Sequence, residues 1–267
     1  MCKEEKDETE TSCTRCPIGM FQDDRNMYCC KSCEKGRYGD QIGLSQCIKC
    51  DYGQYGNTTR ASRNDSCTNC TKGRYSDFKG MTKCTGCPKG RYLLKPGGET
   101  IAGCINCNAG KFSSTVAAFK PEDCIECMSG RFSGTVAAKN KNVCIECPSG
   151  YKQIQKGTTY CLPCVPGRYQ INTGSSACTK CPIGWITESL NATQCTQCPY
   201  GRSTSRNGSA ACSDCAPGTY VNNENCESCP RGFSQPKSAQ QQCIACEPGF
   251  SQPEQNQSVC FPCMPGK

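Results

Sequence analysis

The sequence predicts a small disulfide-rich fold: an elongated tandem array of short β-hairpin repeats, about 17 residues each, with little or no helix and no globular core. Three observations carry that prediction. Cysteine supplies 32 of the 267 residues, Leu, Ile, Val and Phe together supply only 31, and the cysteines recur at a regular spacing. Core-forming chains need roughly 20% of those four residue types, and this chain falls well below it. It cannot bury enough apolar surface to offset its conformational entropy. Cross-links must take the place of the core, as they do in small secreted domains.

Composition also removes whole classes of chemistry. There is no histidine, which excludes His general bases, Ser-His and Cys-His nucleophile pairs, and mixed Cys/His zinc sites. No catalytic residue, metal site or organic cofactor is expected, because nothing in the composition can build an enclosed apolar pocket. The net charge of +8 is dispersed and points to no nucleic acid. No stretch approaches 18 apolar residues, so no membrane span is expected in this segment.

Fifteen C-x-x-C pairs begin at Cys13, Cys30, Cys47, Cys67, Cys84, Cys104, Cys124, Cys144, Cys161, Cys178, Cys195, Cys212, Cys226, Cys243 and Cys260. Their steps change in units of three around a base of 17, and residues 107–127 and 127–147 are near copies. Residues 1–12 form a polar N-terminal segment, and residues 13–267 form the array, whose last repeat is incomplete.

Each repeat can be justified element by element. A glycine stands three residues after every second cysteine, from Gly19 and Gly36 to Gly266, and predicts a tight turn. An aromatic follows one or two places later in 13 of 14 repeats, as at Phe21, Tyr38, Tyr75, Phe132, Tyr169 and Trp185; Gly201 is the exception. That residue sits on a short strand and serves as the miniature core over the disulfides. Four residues before the next pair stands Gly or Asn in ten cases: Asn26, Gly43, Gly80, Asn140, Gly157, Gly174, Asn191, Gly208, Asn222 and Asn256. Both tolerate positive φ, so a second turn with a left-handed residue is expected there. No useful 3.6-residue apolar spacing argues for helix.

Disulfides, zinc and redox dithiols compete for C-x-x-C. Fifteen copies without a βαβ context argue against redox chemistry. Sequons beginning at Asn57, Asn64, Asn191, Asn207 and Asn256 argue for the secretory pathway and so for disulfides. A sixth, at Asn69, overlaps a cysteine pair. Asn191 and Asn256 fall on the turn position, where a glycan would fit.

The run Cys-Pro-x-Gly-x-Tyr/Phe followed by C-x-x-C some 13 residues later resembles the ephrin-receptor-like cysteine-rich repeat over residues 13–267. Residues 16–50, with Cys29-Cys30 followed by Cys33 and Tyr38, are also similar to the modules of the tumour necrosis factor receptor family. The resemblance implies an extracellular, elongated, disulfide-stapled fold. Modules of these families pair cysteines 1–3 and 2–4 across neighbouring C-x-x-C units. Carried over, this implies Cys2–Cys13 and Cys16–Cys29, then Cys30–Cys47 with Cys33–Cys50, and Cys67–Cys84 with Cys70–Cys87. It continues as Cys104–Cys124 with Cys107–Cys127, Cys144–Cys161 with Cys147–Cys164, and Cys178–Cys195 with Cys181–Cys198. Cys212–Cys226 with Cys215–Cys229 and Cys243–Cys260 with Cys246–Cys263 complete it. A second register pairs Cys2–Cys29, Cys13–Cys30 and Cys16–Cys33 and sends Cys260 and Cys263 beyond the segment. A simple chain, Cys16–Cys30, Cys33–Cys47 and onward, ranks third because it strands Cys29.

Stacked hairpins touching only their neighbours would form a quasi-one-dimensional rod, gaining ~10 Å per repeat at ~4.8 Å per strand. The leading functional expectation is a structural extracellular protein: a stalk, an adhesin shaft, or a subunit of a surface filament or appendage. The alternative is a ligand-binding ectodomain of a tumour necrosis factor receptor-like or ephrin-receptor-like receptor. Partners would be further copies, or other surface and matrix proteins. Seven cations directly after the fixed glycine, Arg37, Arg74, Arg91, Lys111, Arg131, Arg168 and Arg202, could form a stripe for acidic polysaccharide. The blander expectation is that each lies over its own aromatic. The chain stops at the opening of a repeat, and residues 1–12 show no export signal, so an excerpt of a longer array is expected.

Overall fold

The computed structural model describes residues 14–25, 27, 29–264 and 266. The chain forms two compact units, Met1–Glu126 with Gly134–Val143, and Cys127–Ser133 with Cys144–Lys267. Among the described residues, each sheet is a two-stranded antiparallel hairpin of consecutive strands, and there are fourteen.

The hairpins share one construction. The two residues after the fixed glycine pair with the two residues inside the next C-x-x-C: Arg37 faces Lys49 and Tyr38 faces Ile48. In another repeat Lys111 faces Glu126 and Phe112 faces Ile125. The Cys-x-x-Gly segment is a reverse turn in which the Arg37 N–H donates to the Glu34 carbonyl at 3.1 Å. All the fixed glycines have φ between +71° and +89°, the third position of such a turn, which glycine adopts without steric cost.

Thirteen of the hairpins have strands only two residues long. A ladder that short is not stable alone, and each hairpin is closed by its own disulfide. The pairs are Cys16–Cys30, Cys33–Cys47, Cys50–Cys67, Cys70–Cys84, Cys87–Cys104, Cys107–Cys124 and Cys127–Cys144. They continue as Cys147–Cys161, Cys164–Cys178, Cys181–Cys195, Cys198–Cys212, Cys215–Cys226, Cys229–Cys243 and Cys246–Cys260.

This corrects the pairing implied by the family modules. Neither Cys16–Cys29, nor Cys30–Cys47 with Cys33–Cys50, nor any later pair on that pattern is formed; the third-ranked register is. The reason is mechanical. Pairing 1–3 and 2–4 would bridge one hairpin twice and leave the next with none. In the structure, the Cys33 N–H donates to the Gly19 carbonyl at 2.9 Å, closing one hairpin, while its side chain starts the next. Pairing of residues 37–38 with 48–49 then returns Cys47 to within 5.7 Å of Cys33, Cα to Cα, well inside bridging range. Cys29, which this register was expected to strand, is disulfide-bonded as well. Cys2 and Cys13 lie outside the described residues. Cys263 has no disulfide among the described residues, and it holds the place from which earlier cysteines bond forward.

The steps of three have a simple origin. Four repeats with a 17-residue disulfide separation each carry one 3₁₀ turn ahead of the closing cysteine: Asn64–Ser66, Ile101–Gly103, Pro121–Asp123 and Lys141–Val143. Three residues make one turn of such a helix, so inserting it returns the chain to the same direction. The left-handed residue in these repeats moves upstream, to Arg60, Gly97, Ala117 and Ala137. Of the turn positions expected from sequence, Gly43, Gly80, Gly157, Gly174, Asn191, Gly208 and Asn256 have positive φ. Asn140 and Asn222 do not, because Ala137 and the pair Asn223–Glu224 take that role; Asn26 lies outside the described residues.

Neighbouring repeats are joined through backbone. In the first unit the Gly73 N–H donates to the Leu93 carbonyl (2.9 Å), the Leu93 N–H to Ala118 (3.1 Å), and the Ala117 N–H back to Cys87 (2.8 Å). The same set recurs in the second unit, where Gly150 donates to Gln170, Gln170 to Ala192, and Asn191 to Cys164. The expectation that repeats touch only their neighbours is too narrow. A Cβ added to Gly73 would lie 2.1 Å from the carbonyl oxygen of Ala117, two repeats on, and one added to Gly150 would lie 2.0 Å from that of Asn191. At Gly73 and Gly150 the fixed glycine therefore points a Cα–H at a carbonyl two repeats away, a weak contact that any side chain would block, whereas a Cβ on Gly232 or Gly249 would meet nothing within 4 Å. The core of each unit is its buried disulfides: Cys33, Cys70 and Cys87 in the first, and Cys127, Cys147, Cys164, Cys181 and Cys229 in the second, are fully buried.

Candidate functional site

The residue three places after the fixed glycine faces the stack and is buried in most repeats, yet it is polar: Ser76, Ser113, Ser133, Gln153, Gln170, Gln235 and Gln252. The glutamines form a clamp. Gln153 Nε2 donates to the Tyr160 carbonyl (2.8 Å), and its Oε1 accepts the Gln155 N–H (3.0 Å). Gln170, Gln235 and Gln252 repeat both bonds. Gln22 does so too, donating to the Cys29 carbonyl. One amide thus satisfies both ends of the loop between the strands, which a buried backbone requires. Sequence reasoning missed these residues; the spacing C-x-x-G-x-x-Q was the available signal.

The aromatics behave largely as packing. Tyr75 is buried with Leu93 against the Cys87–Cys104 disulfide of the next repeat. Most others are half-buried, and Phe233 and Phe250 are exposed.

The cations after the glycine do not lie over their own aromatics. Adjacent strand residues point to opposite faces, so a cation at the first place cannot cover a ring at the second. The cation–π contacts among the described residues are Lys79 over Tyr52 and Lys120 over Phe119. Three of the seven cations instead pair across the hairpin with a carboxylate: Lys111 with Glu126 (3.0 Å), Arg131 with Glu146, and Arg202 with Asp214 (2.6 Å). Arg37 faces Lys49, Arg74 faces Gly86, Arg91 faces Asn106 and Arg168 faces Lys180. Four of the seven cations therefore have no carboxylate opposite them across the hairpin.

All five sequon asparagines are exposed. Asn64 opens the 3₁₀ turn Asn64–Ser66. Asn191 and Asn256 hold left-handed turn positions, φ +54° and +62°. Their backbones are committed to the stack, the Asn191 N–H donating to the Cys164 carbonyl (2.9 Å) and the Asn256 N–H to that of Cys229 (3.0 Å), while both residues stay exposed. Asn191 Nδ2 donates to the Tyr151 hydroxyl at 3.3 Å, which leaves its second N–H free for a glycosidic linkage.

Two exposed carboxylates have lowered pKa values. Asp51 is held below the usual range by the Tyr52 backbone N–H first and by Lys79 second; Asp23 is held down by Lys31, whose own pKa is raised. These are surface pairs, suited to orienting turns rather than to proton transfer.

Comparison with known proteins follows the same geometry. The family model described as tyrosine-protein kinase ephrin type A/B receptor-like matches residues 134–177, 150–198, 169–215 and 218–256. Three of the four windows take in two or more complete hairpins, in keeping with units that fold against one another. No curated protein matches the chain at a significant level.

Proposed function

Between residues 134 and 256 this chain matches ephrin-receptor-like cysteine-rich repeats, and from that premise we propose that it is an extracellular structural protein, a spacer of the kind used as a stalk, an adhesin shaft or a surface-filament subunit. The observation that carries the reading is the double coupling of repeats. Within each unit, repeats closed by their own disulfides are tied by backbone hydrogen bonds to the next repeat, and fixed glycines such as Gly73 and Gly150 also meet the backbone of the one after. Such coupling resists bending without calling on side-chain identity. Fourteen disulfides among the described residues, with Cys29 bonded besides, support an oxidising location, outside the cell or on its surface. Association with further copies, or with other surface and matrix proteins, is the partner class proposed. An acidic polysaccharide would be read by Arg37, Arg74, Arg91 and Arg168, the cations without a cross-hairpin carboxylate.

Removing residues 164–180 tests the spacer. That cut takes out one repeat with both halves of the Cys164–Cys178 bridge and lets Cys181 follow Pro163. The shortened protein should keep every other disulfide and lose ~10 Å of maximum dimension in small-angle scattering. Scrambled bridges, or an unchanged dimension, would overturn the reading. The second reading, a ligand-binding surface receptor, has support at one place in the second unit, where regular stacking breaks.

A further inference from the structure

One stretch of the second unit departs from the repeat in several ways at once. After the fixed glycine Gly201 there is no aromatic; buried Ser203 fills that place. The nearest ring belongs to Tyr200, one residue before the glycine at the tip of the turn, and it is 87% exposed. The following repeat is the shortest, with Cys215 and Cys226 separated by 11 residues. Its strands, Thr219–Asn222 and Asn225–Ser228, are four residues long and are joined through Asn223 and Glu224, both of positive φ. Such a two-residue turn suits a twisted hairpin.

The consequence is space. Elsewhere a loop between the strands folds back over the preceding repeat. Here only the turn reaches it: the Glu224 carbonyl accepts the Ser203 hydroxyl, and the Glu224 carboxylate accepts Gln197 Nε2 at 3.3 Å. What the missing loop would have covered is an open cleft of about 920 Å³, bounded by Gln197, Tyr200, Arg202, Asn223, Glu224 and Gln241 among others. Its size lies within the range of small-molecule sites.

The lining defines the ligand chemistry. Tyr200 offers an uncovered aromatic face. Gln197, Asn223 and Gln241 offer planar amides that donate and accept, and Glu224 adds an acceptor. The charge of Arg202 is matched by Asp214 at 2.6 Å, so the cleft presents no free cation to select a phosphate, sulfate or carboxylate. A ligand that stacks one C–H face on a ring and exchanges hydrogen bonds through paired hydroxyls fits this surface. We infer that the cleft between residues 197–202 and the 219–228 hairpin binds a neutral pyranose saccharide. The cations without a cross-hairpin carboxylate, Arg37, Arg74, Arg91 and Arg168, would by contrast take an acidic one.

The test uses the full 267-residue chain and three probes, trisaccharides of glucose, mannose and N-acetylglucosamine. Each is titrated to about 10 mM while backbone amides are followed by NMR, since a shallow site of this kind gives a dissociation constant on the order of 1 mM. At least one probe should give saturable shifts at Tyr200, Arg202, Asn223 and Gln241 and none in the first unit. Tyr200→Ala should weaken binding about tenfold or more, while Tyr200→Phe, which keeps the ring, should stay within about threefold. The residue is so exposed that neither change should alter the disulfides, which non-reducing peptide mapping checks. The inference is overturned if no probe saturates, if Tyr200→Ala leaves binding unchanged, or if these amides respond to heparin or a peptide pool and not to the sugars.

Discussion

Replacing the fixed glycine Gly73 by alanine should damage the array far more than replacing the turn glycine Gly97, although both have nearly the same backbone conformation. Their φ values are +79° and +73°, so each substitution forces an L side chain into the left-handed region at about 1–2 kcal/mol. Ala117 and Ala137 already occupy the turn position of Gly97 in other repeats. The surroundings differ. A Cβ on Gly97 meets nothing nearer than Asn69 Cγ at 3.9 Å, whereas one on Gly73 meets the Ala117 oxygen at 2.1 Å and its carbon at 2.7 Å. The Ala117 carbonyl must move by more than 1 Å. That strains the bond by which the Ala117 N–H reaches the Cys87 carbonyl at 2.8 Å. Overpacking of this kind adds about 1–3 kcal/mol and a weakened backbone bond about another 1. The difference between the two variants is then about 2–4 kcal/mol, or about 30- to 700-fold in an opening equilibrium. Native-state hydrogen exchange at the Ala117 amide reads it: Gly73→Ala should lose that much protection, and Gly97→Ala should lose little there. Equal losses would refute the reasoning, because the glycine would then be present for its φ alone.

Further outcomes follow from the same structure. Non-reducing peptide mapping should recover Cys33 linked to Cys47 and Cys30 linked to Cys16; a Cys30–Cys47 peptide would restore the pairing implied by the family modules. Gln153→Ala leaves the Tyr160 carbonyl and Gln155 N–H without their partner and should cost about 1–3 kcal/mol locally, seen as faster exchange of the Gln155 amide. Material from a eukaryotic secretory pathway should carry glycans at Asn191 and Asn256, and finding both unmodified would count against the exposed turn as an acceptor site. The Asp51 carboxyl should titrate below the usual aspartate range in an NMR titration. Because its pKa is lowered on folding, the contribution it makes is present at neutral pH and is lost as the pH falls through the lowered value. Lys79→Met should move the midpoint only partway back, since the Tyr52 amide is the larger cause.

Much of this molecule can be read from residue types and spacing. Positive φ at Gly19, Gly36 and each later counterpart is a local matter, decided by a turn that a β-carbon disfavours, and so is the placement of a strand on either side of it. Poverty in aliphatics alone demands cross-links. The variation of repeat length in threes is visible in the sequence, but its cause, a single 3₁₀ turn such as Pro121–Asp123, shows only in three dimensions.

What the sequence could not decide is which repeat touches which. Every candidate disulfide register joins cysteines at comparable separations, and only the pairing of residues 37–38 with 48–49 brings Cys47, rather than Cys50, to Cys33. The Gln153 clamp depends on a loop folding back over its own hairpin. The second demand on Gly73, room for the Ala117 carbonyl, depends on a residue 44 positions away. Local conformation follows from each residue's own sterics, and a sequence states those directly. Contacts between repeats follow from how the hairpins stack, and no residue states that until the backbone around it is in place.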